Sequence, residues 1–585
     1  MSTTTAEFTF VRATSLAELQ KTACQTLSLN GHTLALWYVN GQVYAVDNRC
    51  PHMGFPLDRG SVKDGILTCH WHHARFDLES GGTFDQWADD VRAFPVQIRD
   101  GEVWVNLASQ RDARAHQQDR LQVGLERNLS LVIGKAVLTL IDGRSPETAV
   151  SPFRIGLEFG TRYRSAGWGQ GLTILTCLMN LLPHLHEADR PRALYNGLSA
   201  VAADTAGSAP RFVVRPLPDT TADIPTFKRW FRQFIEVRDD EGAERCIVSA
   251  IEAGATPQQM ADMLFTAVTD HRYIQIGHPA DFTNKAFEAL DIVGWEYAQP
   301  VLTSLVAGYA GASRMEESNA WRHPIDLIEI LHEAFARLPE VVAAGAAKDG
   351  GWNGRTDLIP VLLADDPQAS ADALLNSLAS GASMVELAEA VAYAAALRIA
   401  RFHTSNEFGD WDTALHTFTF ANAIMQGLRR APSVELLRGV FDAAMSIYLD
   451  RFLNIPAARI PSANGQVVQP GDMLAQFAAL LNRQQQVNES AELVARFLGS
   501  DGNADDLLAQ LGSLLLREDR DFHTIQCVEA ALNLYSFLGV GEEGSHALIA
   551  AARYLAAHSP TVRAQGQTYQ IAARLHRGEH LFEET

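Results

Sequence analysis

The sequence predicts a multidomain protein, with a small N-terminal all-β domain followed by a large all-α domain that contains an internal helical repeat. Three observations predict this. The chain has 585 residues, 47% of them apolar, which is more than one hydrophobic core accommodates. Up to about residue 108, apolar residues alternate with period two between short turn signals. From about residue 129 onward, Ala- and Leu-rich segments repeat their apolar residues at spacings of three and four.

The β domain is placed at 7–108. Its segments HTLALWYV and QVYAV read as strands, and Asn30-Gly31, Asn40-Gly41 and Asp100-Gly101 are two-residue hairpin signals. Residues 109–128 (SQRDARAHQQDRLQVGLERN) are polar and lack a dense apolar stripe, so they read as a linker, with or without helical structure. The helical domain is placed at 129–585 and is typified by SMVELAEAVAYAAALRIARF. Within it, a segment of about 243–305 can be laid over one of about 371–450, matching Gly254-Ala255 to Gly381-Ala382 and Phe287 to Phe418.

A net charge of −21 argues against nucleic acid or an anionic membrane as partner, because both require a basic face. The first residues lack a basic-then-apolar leader, and no apolar run is long enough to span a bilayer. A cytoplasmic location is expected. Six cysteines are too sparse for a disulfide framework, so a close pair is better used for metal. Cys24, Cys177, Cys246 and Cys527 read as buried thiols.

That close pair lies in CPHMG (50–54) and CHWHHARFD (69–77), which form Cys-x-His, sixteen intervening residues, then Cys-x-x-His. Each short loop offers one thiolate and one imidazole. The division suits a Rieske-type [2Fe–2S] cluster, in which Cys50 and Cys69 hold one iron while neutral His52 and His72 hold the other. A structural zinc site on two Cys and two His is the competing reading, although zinc sites favour Cys-x-x-Cys paired with a His pair. His70 and His73 read as solvated neighbours and Trp71 as a shield against water.

Segment 7–108 resembles the Rieske ferredoxin family in these ligands, in Gly54 and Pro56, in Trp71, His73 and Phe76-Asp77, and in the trailing FPVQIRDGEVWVNL hairpin. Met53 and His70 stand where the respiratory branch of that family places disulfide cysteines. The resemblance therefore implies the ferredoxin and oxygenase branch, with a potential toward about −150 mV and electrons received from a reductase.

In the helical domain, HPADFTNKAFE (278–288), LHTFTFANAI (415–424) and LLPHLHEADRPRALYNGL (181–198) are similar to the questin-oxidase-like family. That resemblance implies one non-haem iron on several histidines and a carboxylated lysine, used for oxidative cleavage of polycyclic quinones. It carries to His278, Lys285, His403 and His416, and His184 stands in the third segment. His271, His323 and His523 are further imidazoles in helical contexts. The Asp-x-x-His-type iron motif of ring-hydroxylating oxygenases is missing. A di-iron carboxylate site would rest on Glu329/His332 and Glu543/His546.

No Gly-x-Gly-x-x-Gly stretch joins a strand to a helix, so a separate reductase is expected to supply electrons. The expected function is an electron-transferring oxidoreductase. Its cluster would feed a non-haem iron that oxidises a small organic substrate with dioxygen, in a chain that could be a homo-oligomer. The other reading is a non-enzymatic ferredoxin-like carrier or redox sensor on a helical interaction scaffold.

Overall fold

The computed structural model describes residues 10–108, 113–141, 143–348, 351–462, 469–500, 502–579 and 581. The chain folds as two compact units, Met1–Ile155 with Gln565–Thr585, and Gly156–Ala564.

Among the described residues the first unit contains ten strands: β1 Phe10–Ser15, β2 Cys24–Leu29, β3 His32–Val39, β4 Gln42–Asp47, β5 Ser61–Lys63, β6 Ile66–Thr68, β7 Arg75–Asp77, β8 Ala93–Phe94, β9 Val96–Arg99 and β10 Glu102–Asn106. They form three antiparallel sheets in the orders β1-β10-β9, β2-β3-β4-β8 and β5-β6-β7. The three Asn-Gly and Asp-Gly pairs read from sequence close hairpins with both residues at positive φ, as does Asp64-Gly65 between β5 and β6. That conformation matches the strand twist and explains the choice of residues.

Strand β3 is buried on both faces, and its period of two sorts the side chains. Leu34 and Leu36 enter one core with Leu19, Val103 and Val105, while Ala35 and Trp37 enter a second with Cys50, Leu67, Cys69 and Phe76. The two cysteines of the predicted cluster thus belong to a packed core and not to a surface loop.

The polar segment expected to be a linker is helical, and it packs on the β domain. Residues 109–112 lie outside the described residues, and the helix spans Ala113–Glu126. Its Leu121 and Leu125 are buried. Arg120 is buried too, pairing with Asp89 at 2.5 Å and donating to the carbonyls of Gln86 and Ala88 at 2.8 Å. A helix whose anchor is a paired guanidinium shows no apolar stripe in sequence. The Ser130–Leu140 helix and the C-terminal Ala564–His576 helix also serve this first unit.

The second unit is helical. Both candidate repeat segments run helix, turn, helix, helix: Asp240–Glu252, Pro257–Thr269 and His278–Val293 in one, and Pro367–Ala379, Met384–Ala400 and Asp410–Arg430 in the other. Gly254 and Gly381 adopt φ of 85° and 101° in the turns. Each turn is followed by a capping box, Thr256 with Gln259 and Ser383 with Glu386. The third helices of the two segments pack against each other, and Phe522–Leu538 packs on the second of them. Among the described residues no helix is long and apolar enough to cross a membrane.

Candidate metal centres

The two cysteine loops of the first unit are built alike. The Cys50 N–H donates to the Phe55 carbonyl at 2.8 Å, and the Gly54 N–H returns to the Cys50 carbonyl at 2.8 Å. In the second loop Cys69 N–H donates to Ala74 at 2.9 Å, and His73 N–H returns to Cys69 at 3.0 Å. Each turn is closed by a residue at positive φ, Gly54 at 85° and His73 at 63°. His73 is therefore a turn residue, and the His70 ring bonds the Ser61 hydroxyl at 3.0 Å.

These turns bring the two thiols together and the two imidazoles together. Cys50 and Cys69 are buried and their thiols share a hydrogen bond, which lowers Cys69 to about 6 and pushes Cys50 up. Backbone N–H groups of Trp71 and His72 also favour the Cys69 thiolate. The His52 and His72 rings meet at right angles, with centroids 4.9 Å apart. Burial, then Lys135 and His72, lower His52 to about 4, and burial also lowers His72. Both imidazoles are thus neutral, the form that binds metal.

Nδ1 of His52 is buried without a hydrogen-bond partner, a costly state for a ring nitrogen unless it ligates something. Trp87 lies against His52 at 4.7 Å and Trp71 against His72 at 4.3 Å, which limits water at the site. The donor set and the orphaned nitrogen fit a cluster shared between two thiolates and two imidazoles. From the Ser130–Leu140 helix, Lys135 Nζ reaches the carbonyls of Pro51 and His52 at 2.5 and 2.9 Å. Burial lowers its ammonium to about 8, so it stays charged at neutral pH.

A second group stands in the helical unit. His278, His416 and His523 place ligand nitrogens within 4.8 Å of one another. Nε2 of His416 and of His523 are 3.1 Å apart, and the His278 ring lies 4.9 Å from His416 and 5.9 Å from His523. Burial, then the neighbouring imidazoles, lower His278 to about 4 and His416 to about 3, so both rings are neutral. Phe282 and Phe522 pack on His278 at 5.4 and 5.6 Å. On the far side of His523, Nδ1 lies 3.6 Å from Asp412, whose carboxylate accepts from the Tyr554 hydroxyl at 2.7 Å.

The backbone is forced to make this approach. Tyr273, Gln275, Ile276 and Gly277 all adopt positive φ before the His278 helix begins. Left-handed Ile276 is strained because it is β-branched. Gly277 is needed as well, since a Cβ there would lie 2.8 Å from Cβ of Phe420 on the His416 helix.

Of the residues expected at a second metal, the structure brings together His278 and His416 and leaves out three. His403 bonds Ser405 at 2.7 Å in an exposed turn. His184 sits in the short Leu182–His184 turn and joins no ligand group among the described residues. Lys285 is buried two turns beyond His278, paired with Glu529 at 2.7 Å and Glu288 at 2.9 Å. Burial opposes its charge, but those carboxylates hold its pKa well above the usual lysine range. The di-iron alternative is not assembled: Glu329 and His332 are exposed, while His546 bonds Tyr393 at 2.7 Å and Glu543 pairs with Arg355 at 2.8 Å.

His523 completes the group in place of His403. A sequence signal for it exists, because His523, Gln526 and Glu529 form a polar stripe on an otherwise apolar helix and His278, Asp281, Lys285 and Glu288 form another. The stripes face each other, with Gln526 donating to Asp281 and Glu529 meeting Lys285.

Two thiolates and two imidazoles on paired loops of a small antiparallel β fold define an iron–sulfur electron-transfer module. The comparisons agree: residues 9–95 match the Rieske [2Fe-2S] domain, and through that segment the chain belongs to the Rieske family. It is 32% identical over 82 residues to the ferredoxin component of the p-cumate 2,3-dioxygenase system of Pseudomonas putida, covering 14% of this chain and 70% of that one. It is 35% identical over 72 residues to apoptosis-inducing factor 3 of Homo sapiens, covering 12% of each. Among solved structures, the ferredoxin of carbazole 1,9a-dioxygenase from Nocardioides aromaticivorans IC177 is 27% identical over 17% of this chain and 97% of that one, with a TM-score of 0.16.

Proposed function

We propose that Cys50, His52, Cys69 and His72 hold the cluster, and that it relays single electrons from a separate reductase to an iron on His278, His416 and His523 in the helical unit. An iron held there by these residues would supply oxygen-dependent oxidation of a small organic substrate. The observation that carries this reading is the convergence of three imidazoles from three separate helices at ligand distance. Relatives of the first unit are named as ferredoxin components of dioxygenase systems, which supports an oxygen-linked destination for the electrons.

A cluster supplies one-electron transfer, and an iron on three imidazoles keeps open positions for substrate and oxygen chemistry. The protein's own residues set the conditions. His52 and His72 bind as neutral rings, which removes negative charge from the cluster. At the second site burial keeps His278 and His416 uncharged, Phe282 and Phe522 exclude water, and Asp412 faces Nδ1 of His523, leaving Nε2 for the metal.

The test is an iron count on anaerobically purified protein, paired with EPR. The expected result is three irons per chain, two in the Rieske signal and one lost in the His416→Ala variant. Two irons, all within the Rieske signal, would leave the carrier or sensor reading in its place.

A further inference from the structure

Ser130–Leu140 is an apolar helix with a single charged residue, Lys135, and that residue lies outside the segment that matches the Rieske domain. Val132, Ile133, Ala136 and Val137 around it are buried. Burying an ammonium among such neighbours is costly unless its charge is used. Its Nζ donates to the carbonyls of Pro51 and His52, the residues between Cys50 and Met53 in the first cluster loop. Among the described residues no carboxylate lies within ion-pair distance of it, since the nearby Asp89 is taken by Arg120 at 2.5 Å.

We propose that Lys135 is a positioning residue for the cluster, pinning the first ligand loop through two carbonyls and raising the reduction potential with a fixed positive charge. This rests on the cluster ligands assigned above. Reduction adds one negative charge to the cluster, and a cation buried beside a ligand residue stabilises that charge more than water would. The two hydrogen bonds also draw electron density from the peptide that carries His52 and fix the direction of its ring. The helices that extend the β domain therefore set the potential of this relay as well as covering it.

The test uses the full chain at pH 7, with potentials read by spectroscopic titration and the cluster followed by EPR. A Rieske signal in the wild type shows that the ligand assignment stands, and its absence would remove that assignment separately. In Lys135→Gln and Lys135→Met, the ratio of reduced to oxidised cluster at the wild-type midpoint is expected to fall about tenfold, equivalent to about 59 mV for one electron. The EPR line positions should stay Rieske-type. Variants that hold the cluster at the wild-type potential would overturn the proposal. If neither variant retains the cluster, Lys135→Arg carries the test: keeping the charge must restore a Rieske signal with the wild-type ratio of reduced to oxidised cluster at the wild-type midpoint, and a signal that stays absent or a ratio that falls tenfold overturns the proposal.

Discussion

Asp450 follows the Val434–Leu449 helix and is 4% exposed. Burial pushes its carboxyl up to about 7, and the Thr417 hydroxyl and Arg398 guanidinium, which favour the anion, only partly offset this. An unfolded aspartate titrates near about 3.9, so between about 4 and 7 the folded state binds the proton more tightly and stability falls as pH rises. Asp450→Asn removes that titration. Its gain in stability over the wild type should widen by about 1 to 2 kcal/mol between pH 5 and pH 8, read by thermal melting at each pH. A margin independent of pH would show that Asp450 is ionised throughout. The imidazoles of the proposed second site follow the same balance with the opposite charge sign: burial disfavours the charged ring, which keeps His278 and His416 uncharged. The Rieske domain was legible because its Cys/His spacing lies within two short loops. For His523 the sequence shows a polar stripe but not its grouping, because His416 and His278 are 107 and 245 residues away and only folding brings them near.

At the scale of elements, the turn Tyr273–Gly277 does the most to build the second site. Four of its residues stand at positive φ so that His278 can open a helix against the one that carries His416. Gly277→Ala adds a Cβ 2.8 Å from Cβ of Phe420 at a φ of 90°. Relief requires the His278 helix to move away from its partner. The variant should lose about 1 to 3 kcal/mol of stability in denaturant melts and more than half of any iron beyond the cluster, while the Rieske signal is unchanged. Iron at the wild-type level would show that the close approach does not hold the site together. No sequence pattern announces this strain, since Ile276 at positive φ contradicts its own preference. The turns at Gly254 and Gly381 were legible for the opposite reason: both glycines stand at positive φ, and the Ser/Thr and Glu/Gln residues after them are cap residues by chemistry. Where local preference and tertiary need agree, the sequence shows the element; where they conflict, only packing reveals it.

For the whole molecule, the division into a β part and a helical part is legible in the change from period two to spacings of three and four, but the assignment of helices to units is not. The first unit recruits Ala113–Glu126, Ser130–Leu140 and, after more than four hundred intervening residues, the C-terminal Ala564–His576 helix. Nothing in AQGQTYQIAARLH distinguishes a helix that returns to the β domain from one that stays with its neighbours. Its Tyr569, Ala572 and Leu575 are buried, Leu575 lies 3.6 Å from the Cβ position of Gly54 in the first cluster loop, and Arg49 donates to the Glu579 carbonyl at 2.5 Å. Removing residues 565–585 uncovers that loop and forfeits the burial of a tyrosine and a leucine, about 3 to 6 kcal/mol of stabilisation. The expected outcome is a cluster whose visible absorption bleaches at a temperature at least 10 °C lower than in the full chain, since about 1 kcal/mol shifts the midpoint by several degrees in a unit of this size. The main far-UV transition, dominated by the helices of Gly156–Ala564, should move little. A cluster that bleaches at the same temperature with and without the helix would show instead that the β sheets and the Ser130–Leu140 helix hold the ligand loops unaided.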